Sequence, residues 1–264
     1  MEYPTDKMLA QKDGYIGWVT FNNPARRNAV SLEMWETLGK ILTDFQEDNQ
    51  IRAVVLRGAG GKSFVSGADI SEFDEKRNSA AASEEYSKKA AQAQAMLYKL
   101  DKPLIAMIQG YCIGGGLAVA LNADIRFATG DSKFGIPAAK LGLGYGYGGV
   151  KMLMDLVGPS HTKDMLFSAR FLTAEEALGI GLINRIVPPN ELETAVREYA
   201  GLIADNAPLT IRAAKASVRE ALKNPENRDL EKIAELVNAC FDSQDYAEGR
   251  RAFMEKRKPV FKGK

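Results

Sequence analysis

Apolar residues recur along the chain in two alternating rhythms. Residues 15–21 (YIGWVTF) read as a strand, and NPARRN after them as a turn. Ser31 is placed to cap a helix in which Leu32, Trp35, Leu38, Ile41, Leu42 and Phe45 keep the helical period, although Met34 stands where a capping box would want an acid. The run AVVLRG (53–58) is apolar until glycine ends it, as a parallel strand buried on both faces would be. After the loop GAGGKSFVSGADI, an Ala- and Lys-rich helix is predicted over 80–100. Pro103 then leads into a second buried strand, LIAMIQG. A helix opened by Gly114, Gly115 and Gly116 follows, and then a third strand, DIRFAT. Strands alternating with helices predict an α/β fold with parallel pairing. From Lys151 the rhythm changes: strand-like runs thin to INRIV (183–187), and helical segments dominate 191–256. A boundary is expected at 182–189, dividing a site-bearing core (1–188) from a helical C-terminal region (189–264).

Composition narrows the partners. At 264 residues, 45% apolar and 26% charged, the chain suits a soluble globular protein, and a net charge of +1 argues against nucleic acid and anionic membranes. A small anionic ligand held by local Lys and Arg remains open. Cys112 and Cys240, the only cysteines, are expected to be reduced and buried. The N-terminal residues carry acids and no apolar core, unlike a secretory signal. The run 104–121 is short of the about 20 apolar residues of a membrane span. The expected location is cytoplasmic. The basic tail EKRKPVFKGK reads as a solvated end or as an anion contact.

Several motifs fail on inspection. GAGGKS follows a strand, but Leu56 stands where a phosphate loop needs its first glycine. GYGYGG (144–149) matches a dinucleotide fingerprint by letter, yet no good strand precedes it and no acid-ended strand follows. The single histidine, His161, sits in the helix start GPSHTKDM and suits a capping or surface role, which argues against histidine-based nucleophilic catalysis. No Cys/His/carboxylate spacing suggests a metal, so none is expected. Two glycine turns remain: Ser66-Gly67-Ala68-Asp69-Ile70 after one strand, and Gly114-Gly115-Gly116 after another. Such turns can aim backbone N–H groups at one point, as a developing oxyanion requires. Equally, the glycines can serve tight helix–strand packing alone.

The ordered segments NPARRNAVS, FVSGADI, PLIAMIQGYCIGGG, ADIRFA, FGIPAAKLGLGYGYGG, LTAEEALGIGLINRIVP and AFMEKRKPVF resemble the enoyl-CoA hydratase/isomerase (crotonase) superfamily over nearly the whole chain. The resemblance implies a crotonase-like spiral of ββα units with a helical C-terminal region for trimerisation, as a homotrimer or a dimer of trimers. It implies an acyl-CoA thioester as substrate, with no other cofactor. The thioester carbonyl would lie between the N–H groups of Ala68 and Gly115. Arg27, Ala29, Ala68, Asp69, Ile70 and Ser71 would run along the coenzyme, and Phe253 and Lys256 would reach a neighbouring subunit's coenzyme.

The chain departs from the family pattern where the acids should be. Hydratases of the family carry one glutamate two residues after the glycine triplet and another after F-G-x-P; here those positions are Ala118 and Ala138. Adding water to an enoyl thioester means activating a water and protonating C2, work suited to two carboxylates. Three readings follow. One is enolate chemistry without a carboxylate base, chiefly decarboxylation of a malonyl-type CoA thioester. Tyr145 stands where some family decarboxylases place a functional tyrosine, although those enzymes carry His where this chain has Ala68. A second recruits another acid: Glu72, Asp74, Glu84 or Glu85, each equally suited to a solvated helix face. Asp124 is expected to be structural, and spacing does not orient Lys140. The third is an acyl-CoA-binding protein that does not turn over.

Overall fold

A computed structural model describes residues 3–69 and 80–264, with the side chains of 80–87 outside the described set. The chain starts with β1 (Met8–Asp13) and β2 (Ile16–Phe21), an antiparallel pair. After a 3-10 turn at Pro24–Arg26 comes α1 (Leu32–Glu47), capped by the Ser31 side chain accepting from Met34 N–H. Then come β3 (Ala53–Gly58), β4 (Ser63–Val65), α2 (Ala80–Lys99), β5 (Leu104–Ile108), β6 (Tyr111–Ile113), α3 (Gly115–Leu121), β7 (Ile125–Thr129) and β8 (Lys133–Gly135). A 3-10 turn, Pro137–Leu141, leads to α4 (Tyr147–Ser168), α5 (Ala174–Gly179) and β9 (Arg185–Val187). The remaining helices are α6 (Leu192–Ala204), α7 (Pro208–Ala221), α8 (Leu230–Phe241) and α9 (Gln244–Met254).

Strands alternate between two sheets. The large sheet runs β1-β2-β3-β5-β7-β9, parallel from β2 onward; the small parallel sheet runs β4-β6-β8. Each of β3, β5 and β7 is followed by its small-sheet neighbour and then by helix, so the chain climbs as a spiral of ββα turns. The apolar run of β3 is explained by burial on both faces: Val54 and Leu56 join the main core with α1 and α2, while Ala53 and Val55 face α6 through Leu192, Val196 and Ala200. Helix α6, beyond the expected boundary at 182–189, therefore closes the second face of the large sheet.

Some expectations need correction. The strand expected over 183–187 is confined to Arg185–Val187. Cys112 is buried, but Cys240 is only half-buried, with its thiol against Leu236 O at 3.3 Å. The basic side chains of the tail are exposed, as the solvated reading expected, but its backbone is anchored. Asp245 accepts from Lys262 N–H and Gly263 N–H, both at 2.7 Å, and Glu248 accepts from Val260 N–H at 3.1 Å. Arg257 and Arg251 beside Glu248 hold its carboxyl well below the usual range. His161 is exposed; it follows Gly158, whose φ of 79° breaks α4 before Pro159 restarts it. Among the described residues, no helix is long and apolar enough to cross a membrane.

Candidate active site

The small sheet builds the site by register. Ser63 pairs with Tyr111, and one extra residue in β4 then brings Val65 opposite Cys112. Counting on from that pair sets Gly67 against Gly114 and Ala68 against Gly115. On the other side of β6, Ile113 pairs with Gly135 and Gly114 N–H donates to Gly135 O at 2.8 Å, so Ala138 follows from the same end. Three parallel strands thus deliver Ala68, Gly115 and Ala138 to their shared carboxyl end, where α/β sheets keep their ligand sites. Ala118, three residues past Gly115, lies on the same side of α3.

The glycines of the triplet do different jobs. Gly114 has φ 56° and ψ −117°, a conformation closed to side-chain-bearing residues. Gly116 answers a packing demand, since a Cβ there would lie 2.0 Å from Val65 O. Gly115 meets neither constraint. Its missing Cβ would stand 3.5 Å from Ala68 N, at ordinary contact, and one on Gly67 would stand 3.9 Å from Gly115 N. Both amides are unclaimed. The parallel bridge between Val30 and Ala68 uses Gly67 O and Asp69 N–H, at 2.9 and 3.0 Å, which turns the Ala68 N–H away from Val30. As the first residue of α3, Gly115 has no intrahelical acceptor. Among the described residues neither N–H has a hydrogen-bond partner. Helix α3 spans only two turns, so these amides matter more than any dipole of the helix.

Other candidates scatter. Asp69 is committed to Arg26, at 2.9 and 3.0 Å to its two oxygens. Arg27 is exposed, with its guanidinium 5.4 Å over the Tyr111 ring, and Ala29 is buried. Ile70, Ser71, Glu72 and Asp74 lie outside the described residues, as do the side chains of Glu84 and Glu85. Lys140 is exposed, its ammonium 5.8 Å from the Phe171 ring. Tyr145 is half-buried against the main core, and burial pushes its phenol up to about 12. Phe253 is 84% exposed and lines an apolar groove of about 1130 Å³ between α7, α8 and α9; Lys256 follows in left-handed conformation.

Two supports were not singled out from sequence. Asn28, fully buried at φ 57°, donates to Ala59 O and Ser63 O and accepts from Asn23 N–H, fixing the Arg27–Ala29 loop against β4. An Asn closing the turn NPARRN was the available signal. Arg126, 4% exposed, donates to Ala120 O and Ala123 O at the end of α3 and to Leu182 O. Burial lowers it to about 10, so it stays charged at neutral pH. Arg126→Met should lower unfolding stability by about 3 kcal/mol in urea titration, because three buried carbonyls lose their donor. Asp124 is structural as expected, accepting from Leu104 N–H at 2.7 Å and pairing with Lys215 at 2.6 Å.

A parallel ββα spiral ending in two facing glycine turns defines a class of α/β proteins with one backbone-lined site at the strand ends. The chain belongs to the enoyl-CoA hydratase/isomerase (crotonase) family, whose sequence pattern matches residues 11–264. It is 34% identical over 253 residues to the short-chain-enoyl-CoA hydratase of Clostridium acetobutylicum, covering 96% of both chains. It is 33% identical to the carnitinyl-CoA dehydratase of Salmonella enteritidis, covering 98% of this chain and 100% of that one. The solved enoyl-CoA hydratase/carnithine racemase of Magnetospirillum magneticum superposes with a TM-score of 0.94 at 36% identity, covering 98% of this chain and 97% of that one.

Proposed function

We propose that this protein binds an acyl-CoA thioester with its carbonyl oxygen between the N–H groups of Ala68 and Gly115, and that this oxyanion hole stabilises an enolate. The observation that carries the reading is the pair of unclaimed amides, brought together by register and separated by a missing glycine side chain. Coenzyme contacts are assigned to Arg27, Ala29 and the 68–71 segment. The exposed apolar face of α7–α9, with Phe241 at 58%, Phe253 at 84% and Met254 at 80% exposure, supports assembly into a homotrimer or dimer of trimers. Phe253 and Lys256 would then meet a neighbour's coenzyme.

Ala118 and Ala138 occupy the positions of the family's hydratase glutamates, so hydration of enoyl-CoA lacks its proton carriers. The favoured reaction is decarboxylation of a malonyl-type CoA thioester. The bond from C2 to the carboxylate carbon breaks, carbon dioxide leaves, and the electron pair moves into the enolate held by the two amides. A proton from Tyr145 or water then reaches C2, and the phenol is replenished from solvent. Tyr145 suits the donor role because burial keeps it protonated and, among the described residues, its hydroxyl has no partner.

The test is direct. Crotonyl-CoA and a malonyl-type CoA ester are incubated separately with the protein, following hydration and carbon dioxide release. Carbon dioxide release with little hydration supports decarboxylation; rapid hydration refutes it. Tight coenzyme binding with no product, and no C2 deuterium exchange of saturated acyl-CoA, would establish a non-catalytic binder instead. Tyr145→Phe is expected to reduce carbon dioxide release by about 10² with binding nearly unchanged. Unchanged release removes Tyr145 from the mechanism.

A further inference from the structure

The GYGYGG stretch places two glycines, Gly148 and Gly149, in the first turn of α4, where each costs up to about 1 kcal/mol relative to alanine. Among the described residues, Gly144, Gly146 and Gly148 have no atom beyond their own chain neighbours and helix backbone within 4 Å of the point where a Cβ would stand. Gly149 differs. A Cβ there would lie 2.8 Å from Cε1, 3.1 Å from Cζ and 3.2 Å from the hydroxyl oxygen of Tyr145. Its φ lies outside the left-handed region, so backbone conformation does not demand glycine.

We propose that Gly149 is the positioning residue that seats the Tyr145 phenol, its bare backbone forming one wall of the ring's slot. The role of the hydroxyl rests on the enolate reading above; the seating does not. The slot holds the ring by shape alone. Tyr145 packs against the edge of the main core, and among the described residues no acceptor or donor anchors its oxygen. A methyl group at 149 therefore meets the far end of a flexible side chain rather than backbone, so the ring moves and the helix stays.

The experiment uses protein labelled with 3-fluorotyrosine and read by ¹⁹F NMR. Of nine tyrosine resonances, the one lost in Tyr145→Phe identifies residue 145. That resonance is expected to shift in Gly149→Ala and to stay in place in Gly148→Ala, whose methyl meets no atom of Tyr145. A resonance unmoved by Gly149→Ala overturns the proposal. Should Gly149→Ala melt at a much lower temperature, adding Tyr145→Ala decides: stability regained on removing the ring supports the slot, and stability not regained refutes it. On a substrate that turns over, Gly149→Ala should lower kcat on the order of 10²-fold with KM nearly unchanged. A shifted resonance with normal kcat retains the seating role and overturns Tyr145 as proton donor.

Discussion

Gly115→Ala should fold normally and lose acyl-CoA turnover, whereas Gly116→Ala, one residue on, should fail to fold stably. The methyl added at 115 stands 3.5 Å from Ala68 N, in open contact range of its surroundings, so the backbone has nothing to resist. It fills the space between the two proposed donors. Loss of one such donor removes about 3 kcal/mol of transition-state stabilisation, and a blocked hole loses at least that, so turnover should fall 10²-fold or more. The methyl added at 116 would stand 2.0 Å from Val65 O, and β4 or α3 must shift to admit it. Overpacking against backbone should cost about 3 kcal/mol or more. Thermal melts and turnover on both variants check the pair. Equal destabilisation would assign Gly115 to packing, and an active Gly115→Ala would remove the space beside Ala68 N from the proposed oxyanion hole.

The second large effect concerns the proposed missing acids. Restoring carboxylates with Ala118→Glu and Ala138→Glu together should raise crotonyl-CoA hydration by about 10²–10⁴, the usual worth of positioned general acid–base groups. Ala118 is half-buried, and a carboxyl placed at Ala138, which is 8% exposed, is expected to have its pKa raised by burial. Hydration is therefore expected to need both substitutions. If the unmodified protein already hydrates crotonyl-CoA as fast as the double variant, another group carries the protons.

What was legible in the sequence follows burial and length. β3 and β5 stood out because they are covered on both faces and read as unbroken apolar runs. β1 did not: it is an edge strand in which only Met8 is buried, so MLAQKD shows no alternation. β4, β6 and β8 have three residues each, too few for any period to register. Yet these short strands align the site. Glycine enrichment pointed to the two turns that face each other while hiding the division of labour within them. Letters alone cannot separate Gly114, required by conformation, from Gly116, required by packing, or from Gly115, required by neither. The tail was legible in part. Its basic residues pointed to solvent, where they lie, but not to the hold of Asp245 on its backbone across 17 and 18 residues of sequence.

The most direct test of the two-amide site is a crystal structure with butyryl-CoA bound, a saturated thioester that has no carboxylate to lose. The thioester oxygen is expected within about 3 Å of both Ala68 N and Gly115 N. A carbonyl held instead by side chains, or an oxygen in reach of neither amide, would contradict the account.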